Sequence, residues 1–80
     1  NFPNPFNPVT KISFEVPKQT FVTIKVFDIT GREIVSLVND MVTRGYHAID
    51  FNAAAFASGV YFYRIETAGF SDTRRMVLIK

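Results

Sequence analysis

The sequence predicts an all-β domain, an antiparallel sandwich of six or seven short strands. Three observations predict it. Apolar and polar residues alternate with period two along several runs. Turn residues interrupt the chain every eight to twelve positions. No stretch sustains helical spacing.

The first run is TKISFEV at residues 10–16, with Ile12, Phe14 and Val16 to one side and Lys11, Ser13 and Glu15 to the other. Pro17-Lys18-Gln19-Thr20 reads as a turn. FVTIKVFD at 21–28 alternates again, with Val22, Ile24 and Val26 inward, so the two runs are expected to form an antiparallel hairpin. VTKISF and VTIKVF look alike, and two strands of one hairpin suffice to explain it. Asp28-Ile29-Thr30-Gly31-Arg32 is the next turn, with Gly31 expected at positive φ. EIVSLV at 33–38 is the third strand. Ile34, Leu37 and Val38 also fit helical spacing, but β-branched residues and short length favour a strand.

Asn39 to Gly45 is expected to be a connection. YHAIDF at 46–51 puts His47, Ile49 and Phe51 on one face. AAAFASG follows as a small-residue crossover, with room for one helical turn, closed by Gly59. VYFYRIET at 60–67 carries large groups on both faces, which suits a central strand covered on both sides or one whose outer face meets a partner. Ala68-Gly69 turns the chain, and residues 70–80 end it on a strand.

Eighty residues make one domain near the lower size limit for unaided folding. With no cysteine, no disulfide or thiolate metal site contributes, so the core must be hydrophobic. Nine Phe and three Tyr within a 48% hydrophobic composition supply large burial per residue. The net charge is +2, and the nine basic residues are dispersed, Arg74–Arg75 being the only adjacent pair. A nucleic-acid surface needs clustered Lys and Arg on one face, so that partner class is excluded. No apolar run is long enough to span a membrane as a helix.

Catalytic and metal chemistry is not written into the chain. His47 is the only histidine, too few ligands for a transition-metal site. Ser36, Ser58 and His47 lack a nucleophile elbow, and Ser58 is expected to stabilise a turn. Glu15, Glu33 and Glu66 show no spacing for acid–base work. Asn39, Asp40 and Asp72 lack the alternating oxygen ligands of a calcium loop. Gly31, Gly45, Gly59 and Gly69 are isolated turn glycines rather than a phosphate cradle. No cofactor and no small-molecule substrate is expected.

The opening, Asn-Phe-Pro-Asn-Pro-Phe-Asn-Pro, is extended and stiff because each proline fixes its own φ and restricts its predecessor. Residues 1–9 read either as a lead-in, with Phe2 and Phe6 tucked against the sandwich, or as an inter-domain linker. Both place a domain boundary at or just before Asn1. The missing initiator Met suggests a fragment of a longer chain or a processed one.

PNPFNP at 3–8, then TKISFEVP, VTIKVFDITGREI, LVN, ASGVYFYRI and RRMVLIK, resembles the C-terminal sorting domain of the type IX secretion system, type A, over essentially the whole chain. The resemblance implies an immunoglobulin-like sandwich, usually of seven strands, spanning 1–80 as a single non-catalytic domain. It implies a signal that carries a fused N-terminal cargo from the periplasm across the outer membrane, to the cell surface or the medium. Partners would be the translocon and a surface sortase that cleaves the domain off or attaches the cargo. The family's marks fall here on Pro3, Asn4 and Pro5, on Gly31 and Arg32, on Gly59 and Tyr61, and on Met76 and Lys80. Arg75 stands where a Lys is commoner, and the two are not interchangeable at a shaped contact.

A sorting signal must be readable while folded. The last strand, with Arg74, Arg75, Met76, Val77, Leu78, Ile79 and Lys80, is therefore expected either to face a receptor or to complete the core. Met76 and Leu78 share one face and Val77 and Ile79 the other, so only one set is core. Gly31 and Gly59 are assigned to backbone geometry, and Tyr61 to an inward ring with its hydroxyl tied to backbone. The alternative function is a retained interaction module that binds a neighbouring domain, a polysaccharide or another copy.

Overall fold

In the computed structural model, which describes residues 8–80, the chain forms six strands and no helix. They are Val9–Val16 (β1), Thr20–Asp28 (β2), Glu33–Val42 (β3), Gly45–Asn52 (β4), Gly59–Thr67 (β5) and Phe70–Leu78 (β6). Two antiparallel sheets face each other. One is the pair β1-β4, and the other is four-stranded in the order β3-β2-β5-β6. The core lies between them, with Ile12, Val16 and Phe51 from the smaller sheet and Val22, Ile24, Val26, Tyr61, Tyr63, Met76 and Leu78 from the larger. Each inward set recurs at every second position, the periodicity a half-buried strand requires.

All six alternating runs become strands. The seventh strand of the expected set of seven does not occur among the described residues. Pro3, Asn4 and Pro5, together with Phe2 and Phe6, lie outside the described residues.

The first two strands do not form a hairpin. β1 pairs with β4, from Val9↔Asn52 to Val16↔Gly45, and β2 is flanked by β3 and β5. Both edges of β2 are thus taken, and Pro17–Gln19 carries the chain from one sheet to the other. The similarity of VTKISF and VTIKVF reflects two strands that face one core from opposite sides.

The third strand is longer than its alternation suggests. It runs on through Asn39, Asp40 and Met41 to Val42, leaving only Thr43 and Arg44 as the connection to β4. Asn39 and Asp40 are turn formers, but on this edge strand their side chains point to solvent, where they are tolerated. The pairing with β2 shifts register twice, leaving Leu37 and Ile34 as extra residues. Both still pack against the core. These bulges produce the helix-like spacing of Ile34, Leu37 and Val38.

Two smaller expectations are also corrected. The AAAFASG crossover contains no helical turn; it makes a tight turn in which the Phe56 amide donates to the Ala53 carbonyl at 3.0 Å. The final strand ends at Leu78, so Ile79 and Lys80 lie beyond it.

Candidate functional site

Among the described residues, the family's marks and the last-strand residues fall into two places, the β2–β3 turn and the end of β6 with the 53–58 loop beneath it.

In the first, Asp28 organises the DITGR turn. Its Oδ1 accepts the Thr30 amide at 2.9 Å, the Arg32 amide at 3.1 Å and the Thr30 hydroxyl. The Asp28 carbonyl accepts the Gly31 amide at 2.9 Å, and the Asp28 amide donates to the Arg32 carbonyl at 3.0 Å. Gly31 follows the turn at φ 88°, a left-handed conformation in which a Cβ is strained. Arg32 Nε lies 3.5 Å from Asp28 Oδ2. The Thr30 hydroxyl, chiefly, and then the Arg32 and Thr30 amides hold the Asp28 carboxyl below its usual range, against the opposing effect of desolvation. Gly31 and Arg32 are therefore parts of one self-contained turn.

In the second, the last strand divides by face. Met76 is 0% exposed and Leu78 1% exposed, and both sit in the core. Arg75 is exposed, Val77 half-buried, and Ile79 53% exposed. Arg75 stands opposite Phe62 of β5 on the outer face. Arg74 shares the inner face with Met76 and donates from Nε to Asp72 Oδ2 at 2.8 Å. That carboxylate raises the Arg74 pKa further above its usual value.

Lys80 is fastened to the crossover loop. Its amide donates to Ser58 Oγ at 3.0 Å and its Nζ to the Ala54 carbonyl. Ser58 therefore anchors the far end of the chain through its hydroxyl. Tyr61 buries its ring and donates its hydroxyl to the Ala57 carbonyl at 2.6 Å. Phe56 lies between Phe51 and Tyr61, with ring centroids 6.0 Å and 6.3 Å away. The loop, the start of β5 and the end of the chain thus form one cluster. Gly59 opens β5 at φ 158°, close to fully extended.

The outer face of the larger sheet holds a feature that alternation alone did not reveal. The Arg64 guanidinium lies 4.7 Å from the Phe27 ring centroid, and Phe27 is paired across strands with Phe62. Lys25, directly opposite Arg64, reaches Glu33 at 3.6 Å. Large side chains on both faces of β5 are its only signal in the sequence.

The candidate catalytic groups do not converge. His47 stacks on Phe14 at 5.5 Å and holds the Thr43 carbonyl through Nε2 at 2.7 Å. Ser58 is engaged by Lys80, and Ser36 lies on β3. Glu15, Glu33 and Glu66 sit on β1, β3 and β5. Among the described residues no three His, Cys, Asp or Glu side chains are grouped to hold a metal ion.

A family model described as a secretion system C-terminal sorting domain matches residues 1–80. No curated protein and no solved structure matches the chain.

Proposed function

The chain belongs to the secretion system C-terminal sorting domain family, the sorting signal of type IX secretion, and from that membership we propose how its last strand serves export. The family directs proteins across the outer membrane, to the surface or out of the cell, by engaging the type IX machinery. Our reading is that residues 1–80 act as one domain joined to a cargo, and that a translocon component reads the domain folded. A surface sortase then removes it or attaches the cargo. The observation that carries this reading is the match across the whole chain.

Within the domain we assign reading to the outward residues Arg75 and Ile79, with Arg74 beside them. Met76 and Leu78 are core, so they hold the strand rather than present it. Val77 is half-buried between these sets. Lys80 serves by locking the end of the chain onto Ser58 and Ala54. The Asp28 turn with Gly31 and Arg32 closes β2 onto β3, and the Tyr61 contact next to Gly59 fixes the loop that leads into β5. Pro3, Asn4 and Pro5 mark the junction with the cargo.

The test is a periplasmic reporter fused ahead of residues 1–80 in a host with a working type IX system. A translocon-deficient strain and an Arg75→Glu domain run beside it. Export is expected from the intact pair alone. A reporter retained in the periplasm despite a folded intact domain sinks the reading. Deleting Met76–Lys80 is the poorer probe, since it also removes two core side chains.

A further inference from the structure

The smaller sheet has two strands facing four, so part of the larger sheet's inner face is left uncovered. A cleft of about 630 Å³ opens there. Its two sides differ in kind. One side is formed by six consecutive residues, Lys11 to Val16. Consecutive side chains of a strand point to opposite faces, so a surface that includes all of them is the strand's edge. The other side is formed by alternate residues of β5 and β6, among them Tyr63, Ile65, Phe70 and Arg74. That is a sheet face, and Phe70 on it is 57% exposed. Among the described residues β1 pairs only with β4, so from Lys11 to Val16 its second edge turns backbone amides and carbonyls into the cleft.

A strand edge for a wall and a sheet face for a floor, apolar at Tyr63, Ile65 and Phe70 and crossed by the Asp72–Arg74 pair, make a seat for one more strand. We propose that this cleft binds an extended segment of a partner polypeptide, which adds to β1 as a third strand of the smaller sheet. Main-chain pairing supplies the affinity and alternate side chains the selectivity. The seat is about 20 Å long for six residues at the usual strand rise.

The side chains of β1 specify the chemistry of the guest. Ile12, Phe14 and Val16 point to the core, so the facing residues of the guest are apolar. Lys11 and Glu15 point to solvent. Lys11 is 3.0 Å from Asp50, whereas Glu15 has no ion pair among the described residues. An antiparallel guest therefore carries a cation opposite Glu15 and, four residues' worth of register away, an acid opposite Lys11. A folded second copy fits less well. Two β1 edges joined about a two-fold axis would bring two overhanging β5–β6 faces into the same space. A single strand makes no such demand.

The probe is the blocked peptide VKITVE, the antiparallel complement of Lys11–Val16, titrated into isotope-labelled chain and followed by amide NMR shifts. Saturable shifts are expected at residues 11–16 and 63–74. The charge-exchanged peptide VEITVK should bind about three- to tenfold more weakly. Peptides N-methylated at alternate residues, in the two possible phases, provide the backbone test. One phase should lose binding and the other keep it, because only alternate amides face β1. Absence of saturable shifts, or equal behaviour of the two methylated phases, overturns the proposal. So does self-association in sedimentation that shifts the same amides without peptide, which would make a second copy the occupant. The titration uses the chain alone, so its failure leaves the export reading untouched, and the reverse.

Discussion

The Tyr61 hydroxyl donates to the carbonyl of Ala57, four residues earlier, at 2.6 Å. This bond closes the crossover loop onto the strand that follows it, while the ring is buried beside Phe56. The bond is part-buried, so a carbonyl that loses its donor is only partly compensated by water. Tyr61→Phe keeps the ring and removes the donor. It should cost about 1 kcal/mol, read from urea midpoints at unchanged slope. Unchanged midpoints would mean that water replaces the hydroxyl without loss.

A Cβ placed on Gly31 would meet no heavy atom within 4 Å, so the requirement for glycine there is conformational rather than steric. At φ 88°, Gly31→Ala should cost about 1–2 kcal/mol, and Gly31→Asn less, because Asn visits the left-handed region more readily. Equal losses for both would point to a cause other than backbone strain.

Asp28 carries a pH dependence of defined sign. Its folded pKa lies below the ordinary value of 3.8, so in acid the unfolded chain binds the proton more readily. The contribution is present above the unfolded pKa and lost as pH falls through the folded one. Asp28→Asn should therefore flatten the fall of stability between about pH 5 and about pH 2. Chemical denaturation across that range checks it, and parallel curves for the two proteins would contradict it.

The two faces of β6 should separate in mutagenesis. Met76→Ala opens a cavity in the core and should cost about 2–5 kcal/mol. Arg75→Glu, on the exposed face, should change stability by less than about 0.5 kcal/mol yet lower export of a fused reporter. Thermal melts alongside reporter fractionation distinguish the two. Full export of the Arg75 variant would remove that side chain from the recognition surface.

Period two was enough to locate Val22, Ile24 and Val26 on the inner face, because β2 is central and one of its faces is wholly core. It was not enough to pair β1. Nothing in TKISFEV distinguishes β2, next in sequence, from β4, and the choice is made by how the two faces meet. Asn39 and Asp40 misled for a local reason: turn propensity is weak against an edge position where both side chains reach water. Leu37 and Ile34 broke the alternation because bulges insert them. On the last strand, alternation correctly separates Met76 and Leu78 from Val77 and Ile79 but does not say which pair is inside. That depends on which side of β6 faces β1. The cleft was invisible for the same reason, since a sequence does not state which strand edges are left over.

The separation of β1 from β2 also shapes the order of assembly. The β2–β3 and β5–β6 hairpins join neighbours and can form early. β1–β4 and β2–β5 join distant parts, pairing Val9 with Asn52 and Thr23 with Glu66. Closing such loops costs entropy before any core is gained, so these two pairings set the pace. The four-stranded sheet exists only once β5 has paired with β2. A form that stops short of β5 therefore lacks Tyr61, Tyr63, Met76 and Leu78, a large share of the core between the two sheets.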